Sequence, residues 1–221
     1  VGVAAADEFS SRLTVRGGAP DQNLTIMDGV EIHNPYRLFG LTSAFNPETI
    51  ALFELTAGGF SPKYGDRLSS LMVVESRPGD VSRRLGGSFT LGLTDTNVVL
   101  EGKLPGESTG SWLLTGRRTY YDLIAGRVID QSLPSFGDVQ TNITWYPRRG
   151  QQISVVGLLS REHADAEFDE DGSEERFALR SGARNDMVSL SFLSTLGRRA
   201  TSRTIGAGYR NVGRVDLEGG L

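Results

Sequence analysis

Two histidines and one acidic run are the residues best suited to chemistry in this chain of 221 residues. His33 and His163 lie far apart, and no pattern brings either to a serine and an aspartate, as a nucleophilic triad requires. The acidic run, residues 167–175, matches a calcium-binding loop at positions one, three and five, with Gly172 at position six. Its twelfth position is Ala178, where such a loop needs a bidentate glutamate. We therefore expect loop histidines, an acidic loop that at most holds divalent ions weakly, no metal site and no catalytic residue.

The composition argues against other kinds of site. The 28 glycines include adjacent pairs, but no phosphate-binding glycine pattern opens a helix, so we expect no nucleotide cofactor. Cysteine is absent, which removes disulfides, thiolate metal sites and cysteine nucleophiles. The net charge of −4 does not suggest the basic face that nucleic-acid binding requires. The chain is expected to be neither an enzyme nor a nucleic-acid-binding protein.

The first 80 residues predict a small α+β unit. Residues 12–16, 24–27 and 52–55 are short apolar or alternating runs between turn-forming residues, which is typical of short strands. Asp28-Gly29 predicts a tight hairpin turn, because glycine adopts the positive φ that such turns need. Residues 46–50 predict a first helical turn, with Asn46 as its cap and a proline at the next position.

Seven runs with a period of two follow between residues 86 and 210, a pattern typical of β-strands. Hydrophobic residues make up 38% of the chain, yet no apolar run is long enough for a membrane-spanning helix. Strands of a membrane barrel avoid such runs because their apolar residues alternate. The alternating apolar positions, called the apolar stripes below, are Phe89, Leu91 and Leu93; Val98, Leu100 and Leu104; Trp112 and Leu114; Val139, Thr141, Ile143 and Trp145; Ile153, Val155 and Leu159; Val188, Leu190 and Phe192; Ile205, Ala207 and Tyr209.

The connections between these runs alternate in length. Residues 105–109, 147–150 and 197–201 are short and turn-forming, whereas 126–135 and 162–183 are longer and predict loops. Outer-membrane barrels show this alternation, with short turns on the periplasmic side and long loops outside. Residues 88–104 predict two strands joined by a tight turn at Asp95-Thr96, although one long bent strand is the alternative.

The face opposite the apolar stripes is polar. Its members are Glu101, Lys103, Arg117, Asp138, Gln140, Asn142 and Arg210. A dry sandwich core would not accept such a row, because a buried charge needs a partner. A barrel lumen filled by water or by a plug accepts it. We therefore treat Glu101, Lys103, Arg117 and Asp138 as candidate lumen residues.

Six segments in fixed order make the first third of the chain similar to a known family. They are Val15–Gly18, Asp28–Val30, Asn34–Tyr36, Phe45–Pro47, Glu54–Phe60 and Tyr64–Ser70. Together they resemble the plug domain of TonB-dependent outer-membrane receptors, in the subgroup that often carries an N-terminal carboxypeptidase-regulatory-like domain. Gly116–Tyr120 resembles an early barrel strand of that group.

The resemblance implies the fold and the function. It implies an α+β plug followed by antiparallel transmembrane β-barrel strands, in a fragment whose barrel is incomplete. Residues 1–82 would be the C-terminal part of the plug, and residues 83–221 about seven strands of the barrel. The implied partners are TonB, through a segment that this chain lacks, outer-membrane lipid and a small nutrient. The implied function is energised uptake of an iron chelate, cobalamin or glycan across the cell outer membrane.

The plug segments supply the candidate gating residues. These are Arg16, Gly17, Gly18, Asp28, Gly29, Gly58, Gly59, Tyr64, Gly65 and Arg67. The glycines allow tight turns and close backbone approach. Each arginine offers several donors to carboxylates or carbonyls. The alternative interpretation is that both arginines are ordinary surface or core residues.

Two other classes of protein compete with this interpretation. A soluble or surface-exposed β-sandwich would act as a binding module, and its apolar stripes would pack against one another. An enzyme on a β scaffold would need an acid–base pair, and the sequence shows none. The burial of the apolar stripes distinguishes the receptor from the sandwich.

Overall fold

The computed structural model describes residues 3–5, 13–15, 22–33, 35–37, 42–59, 61, 63–64, 69–120, 134–169, 176–197 and 199–220. Nearly all regular elements there are strands. In chain order they are β1 (Val3–Ala5), β2 (Leu13–Val15), β3 (Asn23–Met27), β4 (Val30–Glu31), β5 (Tyr36–Arg37), β6 (Thr42–Ser43), β7 (Ile50–Thr56), β8 (Ser70–Ser76), β9 (Gly86–Leu91), β10 (Asp95–Lys103), β11 (Gly110–Thr119), β12 (Ser135–Trp145), β13 (Gln151–Asp169), β14 (Arg176–Leu196) and β15 (Ala200–Gly220). Within the described ranges, no helix has the length and apolarity needed to cross a membrane.

Strands β1–β8 form the N-terminal unit. Its main sheet has the order β4-β3-β8-β7, with β3 and β8 parallel and the other pairs antiparallel. The predicted hairpin turn is present, since Asp28 and Gly29 have φ angles of 50° and 84° between β3 and β4. The three strands predicted in this unit are confirmed as β2, β3 and β7.

The predicted helical turn is a single 3-10 turn, Pro47–Thr49. The side chain of Asn46 accepts a hydrogen bond from the backbone N–H of Glu48 at 3.1 Å, so the predicted cap is confirmed. The turn does not continue as an α-helix, because Ile50 is already extended and begins β7. In the described part of the N-terminal unit, this single 3-10 turn therefore stands where the predicted α+β fold has a helix.

Strands β9–β15 form one antiparallel sheet in sequence order, called the seven-stranded sheet below. Residues 88–104 are two strands, β9 and β10, as predicted, and not one bent strand. The turn predicted at Asp95-Thr96 is misplaced, because both residues already belong to β10 and the connection is residues 92–94. The three short connections each place a glycine at positive φ, namely Gly106, Gly150 and Gly197. Glycine adopts this conformation without steric cost, which allows the chain to reverse tightly there.

The prediction of a long polar loop at residues 162–183 is wrong for most of its length. β13 continues to Asp169 and β14 begins at Arg176, and their backbones pair along the whole of β13. Backbone pairing between strands does not depend on apolar burial, so strands form there without the alternating apolar residues that would have predicted them. At roughly 3.4 Å per residue, 19 residues span about 65 Å, well beyond the 9–11 residues that cross a bilayer. Residues 170–175, with most of the acidic run, and 121–133, with most of the other predicted loop, lie outside the described residues.

The two faces of the seven-stranded sheet differ in exposure. The apolar stripes of β9–β14 lie on the exposed face, where Phe89 is 67% and Val188 55% exposed. Their sequence neighbours on the other face are buried, and both Val99 and Met187 are only 1% exposed. The apolar stripes therefore do not pack on one another in a dry interior, as the β-sandwich alternative requires.

The stripe predicted for β15 lies on the wrong face. Tyr209 pairs in register with Met187 and packs against the buried cluster described next, so Tyr209 faces inward. Arg210, predicted to face inward, lies beside Asp186 on the outward face. The period of two was correct, but β15 has apolar residues at inward positions and Gly206 and Gly208 at outward ones. Periodicity alone does not reveal which face of a strand is buried.

The inward face of the seven-stranded sheet packs on the N-terminal unit. The buried cluster joins Met27, Val30, Ile32, Phe45, Met72 and Val74 of that unit to Val156, Leu158 and Met187 of β13 and β14. The inward face is therefore mostly polar on β10–β12, where Val99, Leu113 and Phe136 are buried among polar residues, and partly apolar on β13 and β14. Apolar burial stabilises the contact by about 25 cal/mol per Å², and it fixes the side of the sheet on which the N-terminal unit lies.

Cysteine labelling can test whether the exposed face of β14 meets lipid, as the resemblance implies. The chain has no cysteine, so Val188→Cys and Met187→Cys place single thiols on opposite faces one residue apart. In membranes containing the full-length protein, with any cysteine elsewhere replaced, we expect a lipid-soluble maleimide to label Val188→Cys at least tenfold faster. Equal labelling of the two variants would contradict the assignment of faces.

Candidate functional site: the contact between the N-terminal unit and the seven-stranded sheet

Arg117 forms the most buried charged contact between the two parts. It lies on β11 directly opposite Asp138 on β12, and its Nε donates to Asp138 Oδ2 at 2.8 Å. The side chains of the pair are 7% and 1% exposed. The guanidinium carbon also lies 5.0 Å from the centre of the Phe136 ring. A planar guanidinium can pair and stack at once, which a lysine ammonium does not match.

The same guanidinium reaches across to the N-terminal unit. Arg117 Nη2 donates to the backbone carbonyl of Ser43 at 3.0 Å, and Nη1 lies at 3.5 Å from that of Phe45. These carbonyls directly precede the 3-10 turn. One side chain of the sheet therefore holds both a neighbouring strand and the backbone of the N-terminal unit.

A second ion pair joins the two parts near the start of β9. Arg77, just after β8, donates to Glu101 of β10 at 2.5 Å. Glu101 also accepts from the backbone N–H of Asp80 at 3.0 Å, and the side chain of Asn142 donates to the carbonyl of Arg77 at 2.9 Å. Because both ends of the connecting segment are held, the chain leaves the N-terminal unit at a defined point on the sheet.

Neutral hydrogen bonds lie between the two ion pairs. Asn46 Nδ2 donates to Asn97 Oδ1 at 3.0 Å, so the residue that caps the 3-10 turn also contacts β10. Thr49 Oγ1 donates to Gln140 Oε1 at 2.8 Å, and Gln140 Nε2 donates to Ser76 Oγ at 3.0 Å. The inward side chains of three adjacent strands thus bind one edge of the N-terminal unit mainly through polar groups.

A polar cavity of about 250 Å³ lies beside these contacts. Asp28 and Ser76 of the N-terminal unit and Asn142 and Ser189 of the sheet are among its lining residues. Ser189 Oγ donates to the backbone carbonyl of Asp28 at 3.1 Å. The lining offers donors and acceptors from both parts, which makes the cavity suitable for water.

Asp28 is the titratable group most affected by this setting. Burial raises the pKa of its carboxyl above the ordinary 3.8, while hydrogen bonds from the side chain and backbone of Ser76 oppose the rise. Those bonds measure 2.6 Å to Oδ2 and 2.9 Å to Oδ1. Burial disfavours the charged form because the carboxylate loses hydration.

The structure places the predicted site residues unevenly. Glu101, Arg117 and Asp138 meet the N-terminal unit or each other, whereas Lys103 is exposed at the end of β10. Of the plug candidates, Asp28 and Gly29 lie at the contact, where Gly29 faces Ile205 of β15. A methyl group added at Gly29 would come within 2.5 Å of that side chain.

The remaining plug candidates lie away from the contact or outside the described residues. Gly58 and Gly59 have φ angles of 75° and 69° after β7. The ring of Tyr64 lies 5.1 Å from the ammonium of Lys63. The candidates outside the described residues are Arg16, Gly17, Gly18, Gly65 and Arg67. Their gating role therefore stays a prediction.

Several contact residues were missed by the sequence analysis. Arg77, Asn97 and Ser76 carried no motif, since single polar residues at strand ends are common. Asn46 was predicted only as a cap, although its side chain also bonds to β10. Asn97 and Glu101 lie on the same inward face of β10, and this shared face was the one signal in the sequence that could have identified Asn97.

The two histidines form no joint site. The ring of His33 stacks on Tyr209 with 5.8 Å between centroids. His163 lines a different cavity, on the outward face. In the described part of the chain, no group of three histidine, cysteine, aspartate or glutamate residues is placed to hold a metal ion.

Removal of the Arg117 guanidinium tests the strength of the contact. Arg117→Gln leaves the Asp138 carboxylate buried without its ion-pair partner, and breaking such a pair costs about 3–5 kcal/mol. We expect faster amide hydrogen exchange across residues 42–50 of the full-length protein. The control Arg83→Gln removes an arginine from an exposed pair with Asp80 and should leave that exchange unchanged. Equal exchange in the two variants would contradict the bridging role.

The raised pKa of Asp28 predicts a pH dependence of stability. The neutral carboxyl suits the buried site, so its favourable contribution is complete below pH 3.8 and is lost as pH rises through the raised pKa. Asp28→Asn keeps a neutral group and tolerates the positive φ. Urea unfolding of the N-terminal unit, measured in the full-length protein, should show the variant gaining stability relative to the natural protein from pH 4 to pH 7. A constant difference would refute this assignment.

Comparison with known proteins agrees with this arrangement. Residues 1–70 match the family model of the TonB-dependent receptor plug domain. The crystal structure of the siderophore receptor PirA from Acinetobacter baumannii is similar to the chain in fold, with a TM-score of 0.53 and 12% sequence identity. The similarity covers 93% of this chain and 40% of that receptor. No match was found among curated proteins. The plug-domain match over residues 1–70 and the similar fold of the whole chain support a TonB-dependent receptor.

Proposed function

We propose that this protein takes up a scarce nutrient across the outer membrane, with the N-terminal unit as the gate of a β-barrel. One observation carries the proposal: the sheet exposes apolar residues on one face and binds the plug-family unit on the other. Exposed alternating apolar residues suit lipid, and the opposite face suits a filled lumen. The proposed plug spans residues 1–82 and the proposed barrel strands residues 83–221.

The chemistry of the contact supports a gate that opens under force. Each neutral hydrogen bond contributes only about 0.5–1.5 kcal/mol net, because water can replace the lost partner. The contacts of Asn46 and Thr49 and those around Ser76 belong to this class. The Arg117–Asp138 pair lies wholly within the sheet and reaches the plug through carbonyls, so separation leaves the ion pair together. Energy from TonB would supply the work of separating the apolar cluster and the Arg77–Glu101 pair.

The proposed ligand classes are those that the family resemblance implies. The matched structure is described as a siderophore receptor, which makes an iron chelate one candidate. Cobalamin and glycans are the others, because they too are scarce or too large for passive pores. Binding would involve the outer ends of the strands and the plug surface that faces them.

A reversible tether between plug and sheet tests the proposal. Growth of a deletion strain on iron chelates, cobalamin or glycans as the limiting nutrient first identifies the substrate. Asn46→Cys/Asn97→Cys is then joined by a short bis-methanethiosulfonate reagent, since the two side chains are in hydrogen-bond contact. We expect uptake to fall at least tenfold on joining and to return on reduction.

The control pair is Val139→Cys/Leu159→Cys, directly opposite on the outward faces of β12 and β13. Joining this pair links two strands and leaves the N-terminal unit free to move, so uptake should persist. Undiminished uptake with the first tether in place would rule out the plug as the gate. Recovery of the full-length protein in the cytosolic fraction would rule out the proposed location.

A further inference from the structure

A second cavity adjoins the polar cavity at the contact with the N-terminal unit. Its volume is about 440 Å³, and it is lined by Thr109, Thr195 and the turn at residues 147–150. Gln152 and Leu193 line both cavities, and they lie directly opposite each other on β13 and β14. The two cavities therefore meet at this pair, called the neck below. The second cavity, called the mouth below, reaches the end of the sheet that carries the short turns.

The polar cavity ends at the buried cluster on its other side. Val156 lines the cavity and also belongs to that cluster. The next inward residues along the two strands, Leu158 and Met187, are 2% and 1% exposed. A water molecule needs two to four polar partners, so an apolar cluster of this kind stays dry. Along β13 and β14 the inward face thus changes from polar and hollow at the short turns to apolar and closed.

The lining of the polar cavity consists largely of uncharged polar groups. The residues of the sheet that supply hydroxyl or amide groups are Asn142, Thr144, Gln152, Ser154, Ser189 and Ser191. Its charged residues are Asp28 and Glu75 of the N-terminal unit and Arg203 of β15. Arg203 lies 3.7 Å from Glu75, and both side chains are nearly half exposed. Exposed ion pairs and neutral hydrogen bonds are weak because water competes for them. This lining therefore suits passage of a hydrophilic solute better than its tight binding.

The volume of the polar cavity decides what it holds at rest. Pockets for drug-sized molecules measure about 300–1,000 Å³, whereas this cavity measures about 250 Å³. At about 30 Å³ for each water molecule, it holds a few waters and no drug-sized solute. Asp28, Glu75 and Ser76 of the N-terminal unit form one side of it. Displacement of that unit would widen the cavity and leave the polar lining of the sheet in place.

We propose that the polar cavity, the neck and the mouth form the path by which a hydrophilic solute leaves on the side of the short turns. The buried cluster is the barrier that closes this path. The proposal rests on the proposed function, which supplies the solute and places the short turns in the periplasm. Displacement of the N-terminal unit separates the two halves of the barrier and joins the path to the opposite side. Gln152 and Leu193 then limit the size of the solute that passes.

Thiol labelling tests the resting path with a probe other than the nutrient. Ser191→Cys places a thiol in the polar cavity, and Met187→Cys places one in the barrier on the same strand and face. Any cysteine elsewhere in the full-length protein is replaced, and each variant is purified in detergent. Sulfonatoethyl methanethiosulfonate, a small charged reagent, should modify Ser191→Cys at least tenfold faster. Equal rates would overturn the assignment of the barrier.

Narrowing the neck tests the direction of access. Gln152→Trp should slow the modification of Ser191→Cys at least tenfold, because the reagent enters from the mouth. Ser108→Trp is the matched control, since Ser108 is exposed on a short turn at the same end and lines neither cavity. Leu193→Trp narrows the neck from the other strand and replaces Gln152→Trp if that variant does not fold. A rate unchanged by either neck variant would show that access lies elsewhere and would overturn the path.

Uptake of the nutrient identified by the growth assay separates this inference from the gate. Modification of Ser191→Cys should lower uptake at least tenfold, leave binding to energy-depleted cells unchanged, and be reversed by reduction. Loss of that binding would place the thiol in the binding site and overturn the exit path. Full uptake by the modified protein, with the Asn46–Asn97 tether still effective, would overturn the exit path alone. Full uptake with that tether in place would overturn the gate, and the labelling rates would still decide the resting path.

Discussion

The alternation of side chains along a strand is the constraint on which the rest of this structure depends. Each strand of the seven-stranded sheet must serve two environments one residue apart, as Met187 and Val188 show. The backbone ladder satisfies its own polar groups in either environment. The same ladder can therefore continue from the part bearing the apolar stripes into the long polar ends of β13–β15. The exposed apolar stripes and the contact with the N-terminal unit are two uses of one two-faced sheet.

The inward face combines two kinds of contact with different mechanical properties. The apolar cluster around Met72 and Leu158 has no preferred direction and resists separation through the area that it buries. The polar contacts around Asn46 and Gln140 depend on geometry and exchange readily with water. Arg117 adds specificity, because its fork must meet Asp138 and two backbone carbonyls together. Such a mixture gives the N-terminal unit one defined position without a fully apolar interface.

Backbone conformation and hydrogen bonds between neighbouring residues predicted most strands and turns. Contacts between residues far apart in the sequence were not predicted. The turn at Asp28-Gly29 and the cap at Asn46 follow from backbone conformation and nearby hydrogen bonds, so a single sequence predicts them. The inward positions of Arg117 and Asp138 followed from parity on two strongly alternating strands, whereas their ion pair was not predicted. On β15 the assumption that apolar residues face outward failed, because its apolar residues face a buried cluster that the sequence does not specify. The polar ends of β13 and β14 were taken for a loop because strand pairing there leaves no hydrophobic signal.

The contact partners of the N-terminal unit also constrain how the molecule is assembled. The buried apolar cluster of that unit includes residues of β13 and β14, and its polar contacts use β10–β12. The seven-stranded sheet therefore supplies a docking surface for the N-terminal unit, and the two parts can associate once β10–β14 have formed.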